Sequence, residues 1–164
     1  MKPTPSEDQR RRQFEPGVLS PSGFLGEDTR HIHDIVAEDA RTLAALGLEP
    51  SSVADALQRF IDIGKGGLEG IVEWSGWEIR VQWDRGMGPC PFGEPGLYPK
   101  ILTEVRRIDS EEILRFTQLG VHLIRRHGFF GGKGSVYRLD PQTLHGLGIL
   151  SVIDSDSSSE ATFG

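Results

Sequence analysis

Residues 70–83 read Gly-Ile-Val-Glu-Trp-Ser-Gly-Trp-Glu-Ile-Arg-Val-Gln-Trp, and this stretch decides the fold class. The residues after Ser75-Gly76 alternate between apolar and polar, as they do in a strand with one buried face. A two-residue turn at Ser75-Gly76 places Trp74 opposite Trp77 across a pair of antiparallel strands. The sequence therefore predicts a β-hairpin, and its core-facing side carries Trp77, Ile79, Val81 and Trp83.

The same register fixes the other pairs of the hairpin. Val72 lies opposite Ile79 on the core side, and Glu73 lies opposite Glu78 on the outer side. Two like charges directly opposite each other destabilise a sheet. We expect Arg80, which is diagonal to Glu73, to relieve this repulsion.

Helical spacing of apolar residues predicts three main helices around the hairpin. The first covers residues 29–46, with Asp28 as the cap before it, and the second follows a cap at Ser51 or Ser52. The third runs from a capping box at Asp109 and Glu112 to His127. Two more strands are predicted at 100–108 and 135–139. The resulting order ααβββαβ indicates an α+β fold with three main helices on a small, mostly antiparallel sheet of about four strands.

Composition divides the 164 residues into one domain and two tails. Residues 1–22 contain four prolines and the run Arg10–Arg12, so we expect a disordered or extended N-terminal tail. Residues 23–150 form the predicted globular domain. Residues 151–164 are acidic and rich in serine, and they form the predicted C-terminal tail.

The charge and hydropathy of the chain limit the compartment and the partners that it can be expected to have. The net charge is −6, apolar runs are short, and the N-terminus lacks the apolar core of a signal peptide. Together with a single cysteine, this predicts a cytoplasmic protein with no membrane partner. Residues 104–138 carry a local net charge of +3. That is too little for general nucleic-acid binding, but it suits an anionic small molecule or an acidic protein surface.

A basic, glycine-rich turn at 125–134 is the strongest candidate binding site. Glycines clustered with cations allow backbone amides to converge on an anion. Gly134 follows Lys133 where a Walker loop needs Ser or Thr, so that motif does not match. The alternative is a plain connection between a helix and a strand. The candidate ligand-binding residues are Arg125, Arg126, Gly131, Gly132, Lys133, Gly134 and Ser135.

The loop at 85–99 is the second candidate. Four glycines and four prolines in fifteen residues predict an irregular segment, and long loops of this kind often bind ligands. Its candidate contact residues are Cys90, Phe92 and Tyr98. No histidine or lysine adjoins Cys90 in the sequence, although a partner from elsewhere in the fold is left open.

Two polar residues interrupt the apolar faces of predicted helices. Asp39 falls within the apolar arc of the first helix, and His127 within that of the third, whereas His122 projects the other way. Each has an ordinary structural explanation, an ion pair for Asp39 and helix closure for His127. Because these histidines diverge and Cys90 has no cysteine partner, the sequence indicates no metal site and no particular cofactor.

Two hypotheses follow. The first is a non-catalytic binding or regulatory module whose turn at 125–134 accepts an anionic ligand or an acidic partner. The second is a small enzyme that uses Asp39 and His127 as an acid/base pair beside that turn. Because no catalytic signature is present, the first is favoured. The sequence does not determine the oligomeric state.

Overall fold

The computed structural model describes residues 24–154 and the backbone of residues 162 and 163. The predicted N-terminal tail and most of the predicted C-terminal tail lie outside these described residues. The helices are α1 (Ile32–Leu46), α2 (Pro50–Lys65), α3 (Gln118–His127), α4 (Pro141–Gly146) and α5 (Ser151–Asp154). The strands are β1 (Val72–Trp74), β2 (Trp77–Pro89), β3 (Leu97–Arg107), β4 (Ile113–Thr117) and β5 (Thr162–Phe163).

The strands form one sheet in the order β4-β3-β2-β1-β5, and every neighbouring pair is antiparallel. Helices α2 and α3 contact this sheet and each other. The α+β class with an antiparallel sheet is therefore confirmed. No helix in the described part of the chain is long and apolar enough to cross a membrane.

The register predicted for the hairpin is confirmed. Trp74 pairs with Trp77, and Glu73 pairs with Glu78. Ser75 and Gly76 have φ angles of 51° and 84°, as a type I′ turn requires. We expected Arg80, diagonal to Glu73, to offset the repulsion between Glu73 and Glu78. In the structure Glu78 instead forms an ion pair with Arg106 of β3.

The third predicted helix was wrong over its first half. Residues 113–117 form β4, in which Leu114 and Phe116 are buried and Ile113 and Arg115 are exposed. Helix α3 begins only after Thr117, whose side chain accepts a hydrogen bond from the Gly120 amide. The predicted capping box at 109–112 thus lies in the turn before a strand, and β4 precedes the helix.

The predicted strand at 135–139 was also wrong. This segment folds into turns, because the Arg138 amide donates to the Ser135 carbonyl and the Tyr137 amide donates to the Ser135 hydroxyl.

The predicted loop at 85–99 is shorter than expected, since β2 continues to Pro89 and β3 starts at Leu97. Trp83, predicted to face the core, is 40% exposed near the outer end of the sheet.

Two apolar clusters fill the interior. The larger one lies among the sheet, α2 and α3. The smaller one contains Phe24, Ile35, Leu119, Leu123 and Phe129, and Cys90 is one of its buried members. The loop between β2 and β3 therefore packs against helix α3 at the edge of this second cluster.

The described part of the C-terminal segment 151–164 is structured. Residues 151–154 form α5, whose Val152 is buried in the larger cluster. Thr162–Phe163 pair with β1 as the last strand of the sheet.

Candidate metal site

A tight turn at 90–94 presents two potential metal ligands, Cys90 and Glu94. The Gly93 amide donates to the Cys90 carbonyl over 3.0 Å, which closes a four-residue β-turn. Pro91 occupies the second position, where a fixed φ is favoured, and Gly93 has a positive φ of 84°. Because the turn reverses the chain, Glu94 is brought back toward the Cys90 thiol.

Helix α3 presents the other two, His122 and His127. The helix ends at His127, and Gly128 follows in the left-handed region with φ 63° while its amide donates to the Ile124 carbonyl. The helix therefore ends at His127, where the sequence predicted its end. The two imidazole rings lie 5.7 Å apart between centroids.

Four ligand atoms converge where the turn meets the helix. One ligand atom from each of Cys90, Glu94, His122 and His127 lies within 4.8 Å of the other three. The His127 Nε2 atom lies 3.8 Å from the Cys90 sulfur and 2.5 Å from a Glu94 carboxylate oxygen. Cys90 is buried and the other three residues are half-buried, so the cluster is partly shielded from solvent.

These spacings suit a tetrahedral ion. Metal–ligand bonds of about 2.0–2.3 Å imply ligand atoms roughly 3.3–3.8 Å apart at the corners of a tetrahedron. The distance between the Cys90 sulfur and His127 Nε2 already falls at the upper end of that range. The direct contact between Glu94 and His127 has to open by about 1 Å, and the widest spacing has to close by a similar amount.

Neighbouring side chains hold the ligands in place. The Tyr98 hydroxyl lies 3.0 Å from Nδ1 and 3.4 Å from Nε2 of His122, so it contacts this ring beside the cluster. Phe92 stacks on His127 with ring centroids 3.9 Å apart. Arg126 lies 3.4 Å from the second Glu94 oxygen and balances part of the negative charge.

Burial favours the protonation state that a metal requires. Desolvation lowers the pKa of both His122 and His127, and the Glu94 charge opposes this effect only in part. The pKa of Tyr98 is raised, first by burial and then by the charges of Cys90 and Glu94. This burial therefore favours the neutral imidazole, which is the form that coordinates metals.

The arrangement does not match a Cys-His nucleophile supported by a carboxylate. In such a triad one ring nitrogen contacts the nucleophile, and the other contacts the group that orients the ring. Here the Cys90 sulfur and the Glu94 oxygen both approach Nε2 of His127. Convergence on a single nitrogen is what a shared ion between these groups would require.

The structure gives the two catalytic candidates separate partners. Asp39 is buried, as expected, and its two carboxylate oxygens accept from the Arg138 guanidinium at 2.6 and 2.8 Å. His127 lies in the cluster with Glu94 and Cys90. An ion pair thus accounts for Asp39, and His127 is the member of the pair that lies in the candidate site.

The glycine turn packs against the segment that precedes α1. The Gly132 amide donates to the Phe24 carbonyl at 2.7 Å, and the Lys133 amide donates to the Asp28 carboxylate at 3.2 Å. A Cβ on Gly132 would lie 2.3 Å from the Leu25 carbonyl oxygen, so only glycine allows this approach. Asp28 was predicted to cap the first helix, but it binds this turn and Arg30 instead, and α1 starts at Ile32.

The cations of the same turn have acidic partners within the chain. Arg125 pairs with Asp55 at 2.6 Å, and the Lys133 ammonium lies 4.0 Å from Glu38. The Ser135 amide donates to the Gly132 carbonyl. These contacts favour the interpretation of residues 125–135, including Gly131 and Gly134, as a packed connection rather than an anion site.

The three predicted loop contacts do come together beside helix α3. Cys90, Phe92 and Tyr98 each contact one of the two histidines of α3. His122 and Glu94 were missed, because a helical projection separates positions 122 and 127 by roughly 140°. The sequence feature that could have indicated the site is the segment Cys-Pro-Phe-Gly-Glu at 90–94. Its Pro and Gly predict a turn, and a potential metal ligand lies on each side of that turn.

No protein-family model matches this chain, and neither the curated proteins nor the solved structures contain a match to it.

Proposed function

We propose that this chain is a zinc-binding, non-catalytic module in which one ion joins the 90–94 turn to helix α3. The convergence of the Cys90, Glu94, His122 and His127 ligand atoms within 4.8 Å carries the proposal. Thiolate and imidazole ligands with tetrahedral spacing are typical of Zn²⁺ rather than of Mg²⁺ or Ca²⁺, which prefer oxygen.

The charges of the site support a divalent ion. A Cys90 thiolate and a Glu94 carboxylate supply two negative charges, and the two imidazoles are neutral, so Zn²⁺ would bring the four-ligand set to zero. Cys90 must remain a free thiol to bind, which fits the proposed reducing, cytoplasmic compartment.

Four protein ligands complete a tetrahedron and leave no position for substrate or water, as in structural zinc sites. The role that follows is to fix the loop between β2 and β3 on the second apolar cluster. This retains the expectation of a binding or regulatory module, with a cation at the loop as the ligand in place of an anion at 125–134.

Cobalt substitution tests the proposal. Chelator-treated protein titrated with Co²⁺ should develop the strong visible bands of tetrahedral cobalt and a near-ultraviolet sulfur-to-cobalt band, saturating at one ion per chain. Zn²⁺ should displace both signals. Cys90→Ser should remove the sulfur band, and His122→Ala should weaken binding. His33→Ala is the matched control, because His33 is an exposed histidine of α1 outside the cluster.

Weak, pale octahedral bands would contradict the proposal. So would an equal loss of Co²⁺ affinity in His122→Ala and His33→Ala, since this would assign binding to scattered surface histidines.

A further inference from the structure

A cavity of about 260 Å³ adjoins the proposed metal site, because Tyr98 lines the cavity and also contacts His122. Its apolar wall includes the rings of Phe24, Tyr98 and Tyr137 together with Leu119 of α3. Phe24 and Leu119 belong to the second apolar cluster, so these side chains are held by packing behind the cavity. Binding pockets for small molecules are concave and mostly apolar, with a few polar groups that fix orientation.

The charged groups of the cavity come from an irregularity in the sheet. Trp83 of β2 pairs with Ile101 of β3, but Met87 pairs with Pro99, so four steps along β2 oppose two along β3. Residues 84–86 of β2 therefore lie opposite the single residue Lys100 of β3, and Gly86 adopts a φ of 95° within them. Bulges redirect side chains and are common beside binding sites.

Asp84 and Arg85 of this bulge line the cavity, as does Lys100 of β3. All three side chains belong to exposed residues. Neither Arg85 nor Lys100 forms an ion pair with any residue that the structure describes. Two cations against one carboxylate leave a local net positive charge beside an aromatic wall.

We propose that this cavity binds a small organic acid, with its apolar body between the Phe24, Tyr98 and Tyr137 rings and its carboxylate at Lys100 and Arg85. The volume lies just below the roughly 300–1,000 Å³ of drug-sized pockets, which points to a compact aromatic or short aliphatic body. A cationic ligand would meet two like charges. A neutral one would leave the two basic side chains without a ligand partner.

The proposal goes beyond metal binding and does not require it. Tyr98 belongs to both features, since its ring lines the cavity and its hydroxyl contacts His122. Full-length protein should therefore be examined both zinc-loaded and chelator-treated. The zinc proposal is decided by metal content and the cavity proposal by organic-acid binding, so either can fail alone.

The test is a titration with 1-naphthaleneacetate, followed by the backbone amide shifts of Gly86, Lys100 and Leu119 in NMR spectra. We expect saturable shifts at these positions, and weaker binding of the neutral isostere 1-naphthaleneacetamide. Lys100→Ala should weaken carboxylate binding about two- to fivefold, the range for one exposed ion pair, and leave carboxamide binding unchanged. Asp84→Asn should strengthen carboxylate binding by a similar factor.

Arg41→Ala is the matched control, because Arg41 is an exposed cation of α1 that does not line the cavity. The absence of saturable shifts in both metal states would overturn the proposal. Equal affinities for the carboxylate and the carboxamide would also overturn it, as would equal effects of Lys100→Ala and Arg41→Ala.

Discussion

Replacing Arg138 by methionine should destabilise the fold far more than an ordinary arginine substitution. The Arg138 guanidinium donates to both carboxylate oxygens of Asp39, at 2.6 and 2.8 Å, and to the Gly131 carbonyl at 2.9 Å. Asp39 is only 4% exposed. Without Arg138, its carboxylate stays buried with its charge uncompensated.

The expected loss in the free energy of unfolding follows from the cost of leaving a buried charge without its partner. Breaking a buried ion pair by removing one partner costs about 3–5 kcal/mol. For a chain of this size, 1 kcal/mol shifts the melting temperature by about 2–4 °C, so we expect Arg138→Met to lower it by about 6–20 °C. Asp39→Asn should cost less, since Arg138 keeps the Gly131 carbonyl and Asp140, which lies at 3.5 Å.

Urea and thermal unfolding followed by circular dichroism measure both changes. Arg115→Met is the control, because Arg115 pairs with Glu104 at an exposed position of the sheet and should cost no more than about 1 kcal/mol. If Arg138→Met costs no more than this control, or if Asp39→Asn costs more than Arg138→Met, the reasoning on the buried pair is refuted.

Three further predictions concern the site and the glycine turn. In metal-free protein, burial lowers the pKa of His122 and His127 in the folded state. Because the unfolded chain then binds more protons, the free energy of unfolding should fall as the pH drops below about 6.5. A free energy of unfolding in urea that stays constant between pH 7 and 5 would contradict this. Gly132→Ala should lower the melting temperature strongly, because the added Cβ would lie 2.3 Å from a backbone oxygen. Gly146→Ala is the control, since a Cβ there meets no atom within 4 Å and should leave the melting temperature nearly unchanged. Similar melting temperatures for the two variants would contradict the packed turn. Tyr98→Phe should weaken Zn²⁺ binding about tenfold in chelator competition, and an unchanged affinity would show that the Tyr98 hydroxyl does not orient His122.

Local patterns allowed the hairpin to be predicted from the sequence down to its register. Strict alternation around Ser75-Gly76 permits one pairing, because a shift by one residue would turn the apolar side outward. The segment 109–127 was more ambiguous. Ile113 and Phe116 fit helical spacing, yet Leu114 and Phe116 also alternate, and pairing with β3 decides in favour of a strand.

The candidate site could be predicted only in part. Cys90, Phe92, Tyr98 and His127 were singled out from their local surroundings. Their convergence depends on how the loop between β2 and β3 folds back along α3. The contact between Cys90 and His127 joins residues 37 positions apart, and neither helical projection nor the spacing of motifs carries such information.

X-ray absorption at the zinc edge, on the 164-residue chain loaded with one equivalent of Zn²⁺, would show directly whether Cys90 and the histidines bind the ion. We expect a four-coordinate ion with one sulfur at about 2.3 Å and three nitrogen or oxygen ligands at about 2.0–2.2 Å, and loss of the sulfur shell in Cys90→Ser. A six-coordinate shell of nitrogen and oxygen alone, unchanged by Cys90→Ser, would contradict it.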